Sequence, residues 1–405
     1  VANNIITNGI AVKKALPILR NKLPMVMMAN KDYQASVDDE NARNGGTIFI
    51  KRPQRYIGRD GELMKVENTV QTALPMTLQM SGVDVSFSQK DLQLSADAVK
   101  EGAIDSTLDA AMTAIAAKIE LAGTALFRSV PNVVGTPGTP PTDPSLIATA
   151  GAFIDSLGGT IGSERIAVID SFANASLAAN LRLVFNPSDE ISKAFLKGRM
   201  GSAYGFEFYT DPAIQSFTAG TYGGTPLVNG AGQTGTVLVT NGWTPTTSFL
   251  NVGDVIRIPS IQAVNPQTRQ GTGQPYTGVV TALAVADGSG NMTINVFPAI
   301  TPSGQFQTVT ASPATAAPLT VISGTSGQTS RQSLLYDKNA FTFASVPLAN
   351  PGPTAEYSQS KDKMSGISLS IIRQYDIHTN QMKTRFDVLY AWFASYPELA
   401  VRLQG

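Results

Sequence analysis

Side chains able to titrate, attack or bind a metal are few and scattered along this chain. The single histidine, His378, lies between Tyr375, Asp376 and Asn380, with no cysteine anywhere and no second histidine to complete a metal or nucleophile–base site. Its ordinary reading is a turn or strand-end residue. Gly201-Ser-Ala-Tyr-Gly205 echoes a nucleophile elbow, yet its serine is second in G-S-x-x-G instead of central in G-x-S-x-G, so the stretch reads as a turn. Gly230 to Gly235 and Gly288 to Gly290 lack the trailing Lys-Ser/Thr of a phosphate loop and read as loops. The acidic groups Asp38, Asp39, Glu40 and Asp189, Glu190 are flanked by polar turn formers with no apolar pocket to shift a pKa; they read as solvated faces. No nucleophile, base and orienting group assemble into a hydrolase. The inventory points to a protein that is not an enzyme and carries neither cofactor nor metal.

One charged cluster remains. Arg52, Arg55 and Arg59 could grip phosphate, but Asp60, Glu62 and Glu67 alternate with them. Mixed signs on a projecting segment fit pairing with a neighbouring copy better than binding a polyanion. Thirty basic and thirty acidic residues cancel over the 405-residue chain, so no overall field recruits nucleic acid or an anionic membrane. Charged residues make up 15%, against about 25% in typical soluble domains, so much of the surface must be neutral. The absence of cysteine removes disulfides and fits a reducing cytoplasm, leaving assembly to non-covalent contacts or lysine chemistry. Val1 to Leu23 mixes Asn3, Asn4, Lys13, Lys14 and Arg20 among apolar residues, unlike a signal peptide, and no run is expected to approach a membrane span of about 18 apolar residues. A soluble cytosolic protein is expected.

The elements that would carry these residues divide the chain into an α+β order of parts. Residues 1–45, broken by Pro17 and Pro24, read as an N-terminal arm. Residues 46–90 read as an extended two-stranded hairpin loop, with Thr47 to Arg52 stopped by Pro53 and Val83, Val85 and Phe87 alternating with polar residues. Residues 91–144 hold the clearest helix: Ile104, Leu108, Met112, Ile115, Ile119, Ala122 and Leu126 form one apolar stripe from about Asp97 to Arg128, with Ser95 or Asp97 as cap. At 1.5 Å per residue it spans roughly 45 Å, a spine for a peripheral domain. Residues 145–221 read as the first part of an axial α/β domain: helix Ile147 to Leu157, strand Arg165 to Ile169, helix Ser171 to Leu183. From Tyr222 to Ser330 the charged residues are Asp254, Arg257, Arg269 and Asp287 alone, and short alternating segments (Thr236 to Thr240, Asp254 to Ile258, Gly278 to Val285, Met292 to Phe297) predict an inserted β-barrel-like domain over 222–330. Helix-compatible, charged text resumes at Arg331, so 331–380 reads as the second part of the axial domain. Residues 381–405, with Met382, Thr384, Phe386, Val388 and Tyr390 on one side, read as strands returning to the peripheral domain.

This order of parts resembles the tailed-phage major capsid fold with an inserted domain, the arrangement of the coat-protein family of short-tailed phages infecting enteric bacteria. Leu335-Tyr-Asp-Lys-Asn-Ala-Phe-Thr-Phe-Ala-Ser-Val-Pro-Leu348 resembles that family's stretch after the insertion. Arg385-Phe-Asp-Val-Leu-Tyr-Ala391 and Tyr396-Pro-Glu-Leu-Ala-Val-Arg402 are similar to its closing strand and tail, Ala263-Val-Asn-Pro-Gln-Thr-Arg269 to a loop of the insertion, and Val85 to Ser95 to the lead into the spine helix. Ala391 departs from the pattern, standing where a glycine is expected at a local turn.

The resemblance implies an icosahedral capsid of hexamers and pentamers of this chain, enclosing a double-stranded DNA genome contacted non-specifically. Scaffolding and portal proteins are implied partners, with assembly in the host cytoplasm, no membrane, and a virion shell without lysine crosslinks despite Lys51 and Lys65. The hairpin would lie over a neighbouring subunit, offering Arg52, Arg55, Arg59, Asp60 and Glu62 as contacts. The α/β domain would meet its mates around five-fold and six-fold axes. The Val264 to Gly273 loop would touch a neighbour near a two-fold through an ion pair of Arg269. Arms and hairpins on hinges suit a shell in which one surface must satisfy several quasi-equivalent contacts. Two rival classes fit less well: nanocompartment shells share the fold but lack so large an insertion, and a β-rich extracellular surface protein does not account for the long amphipathic helix.

Overall fold

The computed structural model describes residues 8–32, 47–51, 55–58, 61–64, 66, 73–88, 101–159, 164–181, 201–352 and 355–405, and the sheets and helices below are those among these residues. The cap candidates Ser95 and Asp97 and the acidic groups at 38–40 and 189–190 lie outside them. The chain forms two compact units, one from Val1–Lys51, Ala73–Gly123 and Phe341–Phe393, the other from Arg52–Thr72, Thr124–Ala340 and Ala394–Gly405.

The first unit is built on the helix Glu101–Thr124, shorter than the sequence suggests because its end tightens into a 3-10 turn over Ala125–Ser129. Leu108, Met112, Ile115 and Ile119, spaced four, three and four residues apart, are buried as the 3.6-residue period requires. Leu108–Ser129 is, against expectation, long and apolar enough to cross a membrane by length and composition; half of it is buried within the protein. The stripe packs on Val12, Leu16, Leu19 and Leu23 and on Phe343, Leu369, Ile371, Phe386 and Val388. So the segment expected to be an arm contributes core: the helices Asn8–Asn21 and Pro24–Met28 carry an apolar face that Pro17 and Pro24 do not interrupt. Glu120, itself buried, accepts the backbone N–H groups of Met25 and Val26 at 3.3 Å each, satisfying donors at the start of the second helix.

Beside this helix layer lies a five-stranded sheet in the order Phe341–Val346, Gln381–Ala394, Ser368–Asp376, Glu356–Lys361, with Gln79–Ser88 also pairing with Gln381–Ala394. That pairing corrects the expected hairpin. Thr47–Lys51 pairs instead with Ala73–Thr77, from Thr47↔Thr77 to Lys51↔Ala73. Val83 and Val85 lie on one side of Gln79–Ser88 and pack against the core, a burial that a free-standing hairpin could not supply. Ala391 occupies no turn: it is buried within Gln381–Ala394 beside Met76, Ala344 and Val346.

The second unit contains a seven-stranded sheet in the order Asn132–Gly135, Ala400–Gln404, Thr329–Asp337, Arg165–Ile169, Phe206–Thr210, Ser202–Ala203, with Ser216–Thr218 also on Thr329–Asp337. Helices Ser145–Ser156 and Ser171–Leu181 supply Ile147, Ala150, Ile154 and Leu177 to a core shared with Ala167, Ile169, Phe206, Leu335 and Val401. The helix-compatible text at Arg331 is a strand. Gln332 through Asp337 are all buried, so the strand is covered on both faces and loses the alternation that would reveal it. The strand Ala400–Gln404 joins this sheet and does not stay with Gln381–Ala394.

Inserted into that sheet is a six-stranded one, in the order Thr320–Val321, Val255–Val264, Gly271–Val280, Met292–Ile300, Gly235–Trp243, Gly224–Val228. It curls towards closure: Val228 N–H donates to Ala317 O at 2.9 Å and Leu319 N–H to Pro226 O at 3.0 Å, tying one edge to the chain entering the other. Inside are Leu238, Trp243, Ile256, Ile258, Ile294 and Val296, the inward positions of the alternating segments. The Trp243 indole N–H donates to Thr240 Oγ1 at 2.8 Å, which satisfies its buried polar atom.

Candidate subunit-contact surfaces

Of the charged candidates near the hairpin, Arg52, Arg59 and Asp60 lie outside the described residues. Arg55 is half-buried and its carbonyl accepts the Gln305 side-chain amide, while Glu62 is exposed. The dominant feature of this stretch is apolar: Leu63, Met64 and Val66 are 89%, 81% and 74% exposed, with Tyr56 and Ile57 also open to solvent. Large apolar side chains this open lose several kcal/mol of favourable burial unless something covers them. In the sequence the alternating charges mask them; the signal that marks them is Leu63-Met-Lys-Val66, apolar side chains in a stretch otherwise charged and glycine-bearing.

Arg269 lies in the turn joining Val255–Val264 to Gly271–Val280, with φ 59°, and its Nη1 donates to Gly304 O at 2.9 Å. The loop around it is organised by Asn265, whose Oδ1 accepts the N–H groups of Gln267 (2.8 Å) and Thr268 (3.1 Å). The Asn265 Nδ2 donates to Ser156 O at 2.8 Å, at the end of the helix Ser145–Ser156. One side of the loop is thus held by its own subunit, where Gln267 Nε2 also donates to Gly158 O at 3.4 Å, and Thr268 and Gln270 are exposed.

The chemistry-like motifs resolve into turns. Tyr204 and Gly205 form the hairpin between Ser202–Ala203 and Phe206–Thr210. Asp287 accepts the N–H groups of Ser289 and Asn291, each at 2.8 Å, which close the glycine-bearing loop and lower its pKa. His378 lies in the turn between Ser368–Asp376 and Gln381–Ala394, its N–H donating to Asp376 Oδ1 at 3.0 Å. The same carboxylate takes Lys383 Nζ and Thr379 Oγ1 at 2.5 and 2.9 Å, and these bonds hold Asp376 down to about 2. In the strand beyond, Arg385 Nε donates to Asp387 Oδ2 at 2.5 Å; burial raises the Asp387 carboxyl, opposed by that arginine. A cleft of about 270 Å³ lies between Pro140, Phe172, Arg331 and Leu403, where Arg331 and Asp170 form an ion pair at 3.2 Å. Among the described residues no three His, Asp or Glu side chains cluster closely enough to hold a metal ion.

The family model described as P22 coat protein, gene protein 5, matches residues 2–405. The major capsid protein of Acyrthosiphon pisum secondary endosymbiont phage 1 is 22% identical over 436 residues, covering 100% of both chains. Among solved structures, a chain of Mycobacterium phage Che8 has a TM-score of 0.44 at 11% identity, covering 94% of this chain and 90% of that one. The capsid of an empty GTA particle has a TM-score of 0.43 at 9% identity, covering 95% and 90%.

Proposed function

The chain belongs to the P22 coat protein family, and from that premise we propose that it assembles into the icosahedral shell enclosing the double-stranded DNA of a tailed phage. It is a phage major capsid protein. The match over residues 2–405, spanning the insert as well as both flanking parts, carries this reading. Hexamers and pentamers of this one chain form the shell. Scaffolding and portal proteins assist its assembly in the host cytoplasm, the packaged DNA is met without sequence preference, and no catalytic step belongs to the subunit.

Within the shell, the segment bearing Tyr56, Ile57, Leu63, Met64 and Val66 lies on a neighbouring copy, where apolar burial supplies the affinity. Arg52, Arg55, Arg59, Asp60 and Glu62 fix its register by charge complementarity. The exposed side of the Asn265 to Gln270 turn, with Arg269, makes a smaller contact of the same kind. The proposed regions follow the sequence reading with four changes: 8–29 moves from arm to core, Gln79–Ser88 from the hairpin to the five-stranded sheet, 341–376 from the axial part to the first unit, and Ala400–Gln404 to the seven-stranded sheet. Electron microscopy of the chain expressed with and without a scaffolding protein tests the reading: closed shells are expected, and dispersed monomers or small oligomers under both conditions would overturn it.

A further inference from the structure

The insert is connected to the seven-stranded sheet by two passages of chain, about residues 219–222 on entry and 322–328 on exit, and one carboxylate grips both. Asp254 is fully buried at the start of Val255–Val264. Its Oδ2 accepts the N–H groups of Gly220 at 3.0 Å and Asn251 at 2.7 Å, and its Oδ1 accepts the Ser323 hydroxyl at 2.6 Å. The Ile322 N–H donates to Val255 O at 2.8 Å on the exit side. Gly220 has no room for a side chain: a Cβ there would lie 2.2 Å from Phe249 O.

Facing this neck from the sheet is Arg402, equally buried, in the strand Ala400–Gln404. Its Nε donates to Val130 O at 2.8 Å and its Nη1 to Gly253 O at 2.7 Å, the residue preceding Asp254. The guanidinium lies 5.4 Å over the Phe127 ring, which in turn packs edge-on against Phe217 at 5.6 Å. Gly253 adopts φ +105°, and a Cβ there would press to 3.2 Å from Phe217 Cε2, so the carbonyl that Arg402 uses depends on glycine. Two positions along the strand, the Gln404 side-chain amide reaches Ser323 O and Gln332 Oε1, both at 3.5 Å.

Burial pushes Arg402 down to about 9 and raises the Asp254 carboxyl; the attraction between the two charges opposes both shifts. Each group would be costly to bury without the other. Barrel closure, in contrast, uses hydrogen bonds among residues 224–321 alone. Ser323 and Gln404 are 81 residues apart in sequence, so the neck is held by a strand far downstream of the insert.

We propose that Arg402 and Asp254 form a neck lock, through which the strand Ala400–Gln404 fixes the closed insert against the seven-stranded sheet. The lock sets the direction in which the insert is presented to neighbouring copies.

Hydrogen-exchange mass spectrometry on the full chain tests this with Arg402→Met, which keeps length and loses charge and donors, and Arg402→Lys, which keeps the charge and loses the fork. In Arg402→Met, peptides covering 219–224 and 321–326 are expected to exchange at least ten-fold faster than wild type, with peptides inside Met292–Ile300 unchanged; Arg402→Lys falls between. Wild-type exchange at the neck in both variants overturns the lock. So does equal acceleration of neck and barrel, which would mean that insert and neck open as one. If Arg402→Met does not fold, Arg402→Lys is judged by the same two peptides and the same outcomes.

Discussion

Replacing Leu63 and Met64 together by serine should weaken shell assembly by about 100-fold while leaving the isolated subunit as stable as before. Both side chains are almost wholly exposed, at 89% and 81%, so neither contributes appreciably to the subunit's own core. Covering a Leu or Met side chain of this kind is worth about 1.5–3 kcal/mol. Taking the lower end for each gives about 3 kcal/mol per subunit contact, and 1.4 kcal/mol is a factor of ten, hence the factor of about 100 in the concentration at which shells appear. Light scattering across a concentration series, with sedimentation to separate shells from subunits, measures that threshold. Thermal unfolding of the unassembled subunit supplies the control. An unchanged threshold would show that the apolar segment is not covered in the shell. A lowered melting temperature of the free subunit would show that these side chains belong to its interior after all.

Two further outcomes follow from the first unit. Gly123→Ala should destabilise it by about 1–3 kcal/mol, the usual range for overpacking, because the added Cβ would sit 2.8 Å from Trp392 Cζ2 and 3.0 Å from Met25 Sδ, with Trp392 held by its N–H bond to Ile119 O; chemical denaturation of the subunit measures it. Asp376, held at about 2 against an ordinary 3.8, contributes stability that is present above about pH 4 and lost as the pH falls through 2, so the gap in melting temperature between wild type and Asp376→Asn should close over that window.

The parts of the fold that were legible in the sequence are those with one wet face. Leu108, Met112, Ile115 and Ile119 announce a helix because the residues between them are polar or small, and the insert's strands announce themselves by alternation between an apolar interior and solvent. Thr329–Asp337 reads as helix-compatible because both of its faces are covered along Gln332–Asp337, which erases the period of two. Gln79–Ser88 is legible as a strand while its partner Gln381–Ala394 is not: alternation states which side is buried, and says nothing of which strand supplies the hydrogen bonds. The segment 8–29 reads as an arm because of its two prolines, yet its apolar spacing persists through them and is buried.

The proposed contact surfaces follow a different rule. A contact between copies is solvent-exposed in the lone subunit, so it carries neither the pKa shifts nor the convergent polar groups by which a catalytic site declares itself. What marks it is a misplacement, large apolar side chains where a soluble loop would have polar ones, as at Leu63, Met64 and Val66. Arg402 is the converse misplacement, a charge at a position where the neighbouring residues Val401 and Leu403 predict a strand with one solvated face. Its burial becomes intelligible only when the insert's neck is seen to lie over that face, with Asp254 supplying the opposing charge and Gly253 and Val130 the acceptors. In both cases the informative residue is one that its local sequence cannot justify. For the exposed apolar row the justification is sought in another copy of the chain, and for the buried arginine it lies in a domain inserted far upstream.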